Sequence, residues 1–278
     1  MQFARPTSLE HALDHLAAGP WCVLAGGTDV YPAQVDRPID RPMLDISRLF
    51  ELRGIERTAD GWRIGGLTRW RELLAADLPP AFDGLKQAAI EVGSVQIQNA
   101  GTVAGNLCSA SPAADGVPPL LTLDALVELA STRGVRRLPL QDFITGYRAT
   151  AIEPDELLTA ILIPEESARG ASHFEKLGAR KYLVISIVMV AVRLVAERGA
   201  VTEARAALGA CSPVALRMTA FERDLIGAPL DRLDAVVTAE HLEALRPIDD
   251  IRASAAYRRE AASVLLRRSL AQTAAGLR

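Results

Sequence analysis

The chain has 278 residues, of which 49% are hydrophobic and 23% charged, a composition typical of a globular protein with an ample apolar core. Its formal net charge of −3 argues against general nucleic-acid binding, because phosphates require a basic surface. Cys22, Cys108 and Cys211 form no CxxC pair, which disfavours a zinc ribbon, a locally ligated iron–sulfur cluster and a disulfide framework, and predicts a cytoplasmic location.

Two further segments argue against export and membrane insertion. The N-terminal residues MQFARPTSLEHAL lack the apolar core of a signal peptide. The longest apolar run, residues 182–192, is far too short to span a bilayer and is typical of a buried strand.

In chain order, the first half predicts short strands alternating with helices. A helix over 9–19 follows a cap at Thr7 or Ser8, and a buried strand then ends in the paired glycines of WCVLAGG. Two more short strands are predicted at 43–46 and 61–68, followed by a helix-rich stretch at 69–94. A loop at 102–116 then precedes another helix at 118–125.

The second half predicts a change of pattern. Strands at 126–131 and 135–140 pair around a turn, and a further strand ends at Pro164. Three consecutive strands follow, and the chain then becomes helical, with these elements predicted over 172–178, 185–197, 201–212, 214–226, 229–245 and 252–276. The succession predicts an α+β fold with a boundary near 165–172.

The segment AGGTD, residues 25–29, directly follows a predicted buried strand. Paired glycines permit backbone N–H groups to approach a ligand closely, and successive N–H groups form a concave nest suited to a phosphate. The alternative is a plain tight turn, since Gly-Gly pairs are common. Neither GxGxxG nor GxxxxGK[ST] is present, so Rossmann and Walker-type sites are not supported.

The segment 102–116, TVAGNLCSASPAADG, combines small residues with many hydrogen-bond donors and ends near the acceptor Asp115. A dinucleotide requires donors for its pyrophosphate and a carboxylate for ribose hydroxyls. The alternative is a flexible linker, but structured-looking apolar sequence flanks the segment on both sides.

Taken together, VLAGGTDV and QIQNAGTVAGNLCSASPAADGVPPLLTLDA resemble the two FAD-binding signatures of the flavin subunits of molybdenum hydroxylases, the medium subunits of the xanthine and carbon monoxide dehydrogenase family. The resemblance continues through GYRATAIEPDELLTAILIP and FEKLGARKYLVISIVMVAVRL, and so covers nearly the whole chain. One departure is Ala104, which stands where another glycine is common.

The resemblance implies a vanillyl-alcohol-oxidase-like FAD-binding domain of two subdomains, residues 1–55 and 56–168. A C-terminal domain, residues 169–278, would hold a three-stranded antiparallel sheet and helices. The implied FAD-binding residues are Ala25, Gly26, Gly27, Thr28 and Asp29 around the pyrophosphate, Thr102, Gly105 and Asn106 opposite them, Ser109 and Ser111 in the same loop, Asp115 at the ribose, and Lys176 near the flavin ring.

A cation near the flavin would stabilise its reduced, anionic form and raise its potential. The alternative for Lys176 is a solvated charge on a strand. No catalytic side chain is implied. His11 and His15 lie four residues apart, but no third metal ligand is evident, so a helix surface is the better interpretation.

The resemblance also implies partners. A small [2Fe-2S] subunit and a large molybdopterin subunit would join this chain in a dimer of heterotrimers, with electrons passing through FAD to an external acceptor. A flavin-free scaffold or nucleotide-binding assembly protein of the same fold is the alternative. A free-standing flavin oxidase is less favoured, since no acid–base pair for a substrate is evident.

Overall fold

The computed structural model describes residues 2–35, 38–181 and 183–277, in which three larger sheets follow one another along the chain. Tyr182, the first residue of the long apolar run, lies outside the described residues.

The first sheet is small and parallel. Ser8 caps the first helix, since its hydroxyl accepts a hydrogen bond from the His11 N–H at 3.4 Å. Ala12, Leu13 and Leu16 form the buried face of this helix. The sheet has the order β1-β3-β2, and the elements are β1 (Phe3–Ala4), α1 (Leu9–Ala18), β2 (Cys22–Leu24) and β3 (Met43–Asp45).

The second sheet is antiparallel and has five strands. The elements of this region are β4 (Ile55–Thr58), β5 (Gly61–Gly65), α2 (Trp70–Ala75), α3 (Asp83–Glu91), α4 (Val95–Ala100), α5 (Val103–Ser109), α6 (Val117–Thr122), β6 (Leu126–Ser131), β7 (Gly134–Pro139), α7 (Leu140–Phe143), β8 (Ile144–Gly146), β9 (Ala149–Thr150) and β10 (Leu157–Pro164). The strand order is β4-β5-β10-β6-β7, and β8 and β9 pair separately. Trp70, Phe82 and Leu107 lie in the core beneath this sheet.

The expected loop over 102–116 contains a helix, α5. The Thr102 hydroxyl caps this helix by accepting a hydrogen bond from the Gly105 N–H at 3.0 Å. Val103, Ala104 and Leu107 are buried on its inner face. A capping threonine and three buried apolar side chains stabilise these roughly two turns of helix in a sequence rich in small residues.

The third sheet has four strands, one more than expected. Its order is β11-β12-β13-β14, and the elements are β11 (Ala171–Leu177), β12 (Val188–Glu197), β13 (Ala200–Gly209), β14 (Leu216–Arg217), α8 (Thr219–Leu225) and α9 (Ala255–Ala275). β14 lies where a helix was predicted, because Leu216 and Arg217 pair with Leu208 and Ala207 of β13.

The prediction of a helix over 229–245 is wrong. Two short turns, Leu233–Val236 and Glu240–Leu242, stand in its place. Between them, the Thr238 N–H donates to the His241 side chain at 3.2 Å, a local bond that competes with helix formation. Among the described residues, no helix is both long and apolar enough to cross a membrane.

A cluster of charges joins the second and third sheet regions. Asp124, which follows α6, accepts hydrogen bonds from Arg193 at 3.4 Å, from Arg205 at 3.0 Å and from Arg217 at 2.8 Å. The Arg193 side chain is only 1% exposed, and Asp124 has a left-handed φ of 48°. This Asp124 cluster fixes the third region against the end of α6.

Candidate functional site

The loop 25–29 leaves β2 with most of its N–H groups unused. The N–H groups of Gly26, Gly27, Thr28 and Asp29 donate to none of the described residues. Gly27 has a φ of 71°, which favours glycine, and its carbonyl accepts from the Tyr31 N–H at 3.2 Å. The loop therefore offers a series of free backbone donors, as a site for an anion requires.

Gly26 brings this loop against the end of α4. A Cβ atom on Gly26 would lie 2.1 Å from the Ala100 carbonyl oxygen, so any side chain there would push the two segments apart. A Cβ atom on Gly101 would likewise lie 3.1 Å from the Thr28 hydroxyl. Gly26 therefore serves a contact within the chain, whereas the sequence had suggested either a close approach to a ligand or a plain tight turn.

α5 presents an open position beside this contact. A Cβ atom on Gly105 would lie 2.8 Å from the Thr102 hydroxyl, and apart from the backbone of α5 and the adjacent residues no other heavy atom of the described residues would lie within 4 Å of it. The Asn106 side-chain oxygen accepts from the Gly116 N–H at 3.2 Å, which leaves its NH₂ group as the donor toward a ligand. Gly105 thus leaves room on the outer face of α5.

Asp29 links the loop to two distant segments. One of its carboxylate oxygens, Oδ2, accepts from the Ser109 hydroxyl at 2.9 Å and from the Arg148 guanidinium at 3.1 Å. Arg148 lies between β8 and β9 and was not among the predicted site residues, because only its place in the fold brings it to Asp29.

Asp115 and Lys176 form a second, buried group. Asp115 Oδ2 accepts from Lys176 Nζ at 2.9 Å, and Oδ1 accepts from the Ser186 hydroxyl at 2.7 Å. The Lys176 side chain is 4% exposed, so the interpretation of Lys176 as a solvated strand charge is wrong. Burial raises the pKa of the Asp115 carboxyl, and its bonds to Lys176 and Ser186 only partly offset this effect.

The predicted residues therefore fall into two connected groups. The loop 25–29 contacts the end of α4 and Ser109 of α5, the helix that Thr102 caps and that carries Gly105. Asp115 and Lys176 form the second group, which the bond from Gly116 to Asn106 connects to α5. Ser111 is turned toward its own loop, since its hydroxyl accepts from the Ala113 N–H at 3.2 Å. The sequence signal for Ser186, which we did not predict, is a single hydroxyl inside an apolar run.

A groove of about 640 Å³ lies beside Lys176, between α3 and β11. Charged side chains of both signs line it, among them Glu91, Glu175 and Arg180. Within the described residues, no three His, Cys, Asp or Glu side chains are grouped in a way that could hold a metal ion.

The arrangement fits a cofactor that carries phosphates. Free backbone donors lie in the loop 25–29, Gly105 leaves room on α5, and Asp115 holds a buried cation, Lys176, beside the groove. Backbone N–H groups of this kind bind phosphates, and a buried cation favours negative charge on a group near it.

Two family models match the chain. The model described as the FAD binding domain in molybdopterin dehydrogenase matches residues 1–166, and the CO dehydrogenase flavoprotein C-terminal domain matches residues 173–273.

Curated relatives agree with these matches. The chain is 37% identical to the nicotinate dehydrogenase FAD-subunit of Eubacterium barkeri over 258 residues, covering 89% of this chain and 84% of the relative. It is 34% identical to the putative xanthine dehydrogenase FAD-binding subunit of Escherichia coli K12, covering 92% and 90%.

Solved structures share the fold. A chain of carbon monoxide dehydrogenase from Hydrogenophaga pseudoflava matches with a TM-score of 0.89 at 26% identity, covering 99% of this chain and 97% of that one. Quinoline 2-oxidoreductase from Pseudomonas putida 86 matches with a TM-score of 0.88 at 26% identity, covering 100% and 98%.

Proposed function

The chain belongs to the FAD-binding subunits of the molybdenum hydroxylase family, and we propose that it is the electron-transfer subunit of such an oxidoreductase complex. In this role it receives electrons from iron–sulfur clusters of a partner subunit and passes them to an external acceptor. FAD is its cofactor.

The observation that carries the proposal is the meeting of the two signature segments, which are about 80 residues apart in sequence. Ser109 of α5 donates to Asp29 at 2.9 Å, and Gly26 packs against the backbone of Ala100 and Gly101. This contact brings the loop 25–29 against the segment that leads into α5, the helix that carries Gly105, and so supports a site shared by the two segments. A pyrophosphate is the group that such a pair of segments would bind.

Residues of this chain would bind and tune the cofactor. Ala25, Gly26, Gly27, Thr28 and Asp29 would hold the pyrophosphate with Thr102, Gly105 and Asn106, while Ser109 and Ser111 shape the same end of the site. Bound FAD supplies the redox chemistry. The buried Lys176 would stabilise negative charge on the flavin, and Asp115, as its partner, would fix the position of its ammonium group. Both carboxylate oxygens of Asp115 are bonded within the chain, to Lys176 and Ser186, which does not favour the expected contact with a ribose.

We also propose a division into subdomains 1–55 and 56–168, followed by a C-terminal domain, 169–278, in the vanillyl-alcohol-oxidase-like arrangement. Supporting this division, each range holds one of the three larger sheets, apart from Ile55, the first residue of β4. The relatives include medium chains, such as that of the carbon monoxide dehydrogenase of Afipia carboxidovorans, which implies small and large partner subunits. We propose that these are a [2Fe-2S] subunit and a molybdopterin subunit, in a cytoplasmic dimer of heterotrimers.

Purification of the chain tests the proposal directly. We expect a yellow protein that releases FAD on acid treatment and regains it, one per chain, on reconstitution. In the assembled complex, substrate added without an acceptor should bleach the flavin absorbance, and an acceptor should restore it. A colourless chain that takes up no FAD would contradict the proposal.

Gly105→Val separates this function from that of a flavin-free scaffold. A valine would fill this face of α5, and its Cβ, 2.8 Å from the Thr102 hydroxyl, would also crowd the cap of the helix, so FAD retention should fall while circular dichroism shows that the overall fold is kept. Gly19→Val is the control, since a Cβ atom at Gly19 would meet nothing within 4 Å among the described residues. If the scaffold interpretation holds, neither variant changes ligand content.

A further inference from the structure

Arg148 stands at the point where the loop 25–29 meets α5. Its guanidinium donates to Asp29 Oδ2 at 3.1 Å, the same oxygen that accepts from the Ser109 hydroxyl at 2.9 Å. Asp29, in the loop after β2, is therefore bonded through one carboxylate oxygen to two other segments, the end of α5 and the connection between β8 and β9.

The backbone of Arg148 is held in an unusual conformation. Its φ is 50°, in the left-handed region that side chains other than glycine rarely occupy. Its N–H donates at 2.9 Å to the carbonyl of Ala110, the residue that ends α5 and itself has a φ of 44°. The position of the guanidinium is thus tied to the end of α5, whose first turn carries Thr102 and Gly105.

The Arg148–Asp29 pair contributes little to stability. The side chains are 50% and 51% exposed, and ion pairs with that exposure contribute at most about 1 kcal/mol. The left-handed φ belongs to the tight turn between β8 and β9, and a pair this weak is better explained by what it does to its surroundings than by a contribution to stability.

Asp29 brings a negative charge to a loop whose free donors suit an anion. The carboxylate belongs to the same residue as one of the unbonded N–H groups, so an anion bound to the loop would lie close to it. Repulsion between charges a few ångströms apart is large enough to weaken binding, even when partly screened by solvent. A cation at Asp29 removes that repulsion.

We propose that Arg148 is a positioning residue for the cofactor, which neutralises Asp29 so that the loop 25–29 can bind the anionic pyrophosphate of FAD. The inference rests on the proposed function. It assigns to the carboxylate of Asp29 the task of joining the loop to α5, and to Arg148 the task of making that carboxylate compatible with a bound phosphate.

A double-mutant cycle on the FAD dissociation constant tests this role. At low ionic strength, Arg148→Gln should weaken FAD binding about tenfold, which corresponds to about 1.4 kcal/mol. In the Asp29→Asn background the same change should have less than about a threefold effect, because no carboxylate remains to be neutralised. The loss in the single variant should shrink as salt is added.

Two further variants exclude simpler explanations. Arg148→Lys keeps the charge and should bind FAD within about threefold of the unchanged chain. Arg198→Gln is the matched control, because Arg198 is also exposed and has a φ of 52°, but lies on the turn between β12 and β13. This variant removes the same charge from a residue with a similar backbone conformation, and it should leave FAD binding unaltered.

The outcomes are distinguishable. An equal loss from Arg148→Gln in both backgrounds would overturn the inference, because Arg148 would then act on the cofactor or the fold without Asp29. Unchanged FAD binding in Arg148→Gln would overturn it as well, while leaving the proposed function intact. An unaltered chain that binds no FAD would overturn the proposed function itself.

Discussion

At the scale of single residues, Gly26 makes the closest approach in the site. Its missing side chain lets the loop 25–29 lie against the Ala100 carbonyl, which a Cβ atom would approach to 2.1 Å. We expect Gly26→Ala to destabilise the protein by about 1–3 kcal/mol, as overpacking does, and to weaken FAD binding. Urea unfolding and an FAD titration would measure the two effects.

Gly19→Ala provides the comparison for this variant. Gly19 ends α1 with extended backbone and has nothing within 4 Å of a Cβ position, so alanine there should change neither quantity. Equal behaviour of the two alanine variants would show that the contact between Gly26 and Ala100 is unimportant.

A second residue-scale prediction concerns Lys176. Lys176→Met leaves Asp115 buried without its cation, which should cost about 3–5 kcal/mol of unfolding free energy at neutral pH. Burial raises the folded pKa of Asp115 and the loss of Lys176 removes an interaction that lowers it, so the contribution of Asp115 to stability is fully present below its unfolded pKa of about 4 and is lost as the pH rises through the folded value. Urea unfolding across that pH interval measures the slope.

The double variant Lys176→Met with Asp115→Asn removes both charges. We expect it to recover much of the stability and to lose the pH dependence, since no buried carboxylate remains to ionise. If the double variant is as unstable and as pH-dependent as the single one, the ion pair is not the cause.

At the scale of elements, the short helix α5 depends on its cap. Thr102→Ala removes the acceptor of the Gly105 N–H and should cost about 1 kcal/mol of unfolding free energy, whereas Thr102→Ser should retain it. Because Thr102 and Gly105 lie in the site, FAD affinity should fall with the loss of the cap.

Ser94→Ala tests whether that loss is specific. Ser94 caps the neighbouring helix α4 by accepting from the Ile97 N–H at 3.4 Å. Its removal should lower stability and leave FAD affinity nearly unchanged. Equal losses of FAD affinity in both capping variants would show that general loosening, and not α5, controls binding.

The sequence could predict those elements that depend on local patterns. Ser8 before an amphipathic run starts α1, and the turn at 132–134 joins β6 to β7 as expected. Residues 216–217 and 229–245 were wrongly predicted as helical, because pairing with β13 and the local bond from Thr238 to His241 override helical spacing. The burial of Lys176 depends on Asp115, 61 residues away, and no local pattern reveals it.

At the scale of the whole molecule, the Asp124 cluster holds two sheet regions together. Asp124→Asn removes the charge shared by Arg193, Arg205 and Arg217, while asparagine tolerates the left-handed backbone. We expect a loss of about 1.5–3 kcal/mol, the range for hydrogen bonds to charged groups. Unfolding of the variant followed by flavin absorbance and by circular dichroism should give two transitions that no longer coincide, because the two regions then unfold separately.

The pH dependence of this loss has a defined sign. Burial alone would raise the pKa of Asp124, but the bonds from Arg217 and Arg205 outweigh it and leave the pKa below its usual value. Its contribution is therefore present above the unfolded pKa of about 4 and is lost as the pH falls through the folded value. The difference in stability between the unchanged chain and Asp124→Asn should shrink on acidification.

Glu165→Gln is the matched control for charge removal. Its pair with Arg57 is largely exposed, at 47% and 65%, so its loss should cost no more than about 1 kcal/mol. If Glu165→Gln lowered the unfolding free energy as much as Asp124→Asn, the Asp124 cluster would not be the ionic contact that holds the two sheet regions together.

The ion pairs of Asp115 and Asp124 also determine when parts of the site can form during synthesis. Their cationic partners lie between 61 and 93 residues further along the chain, in β11 to β14. Since a chain folds as it leaves the ribosome, Asp115 remains without Lys176 until β11 has emerged, and Asp124 remains without Arg217 until β14 has emerged. Loading of FAD is therefore expected to wait for these C-terminal strands, which delays the acquisition of the cofactor to a late stage of synthesis.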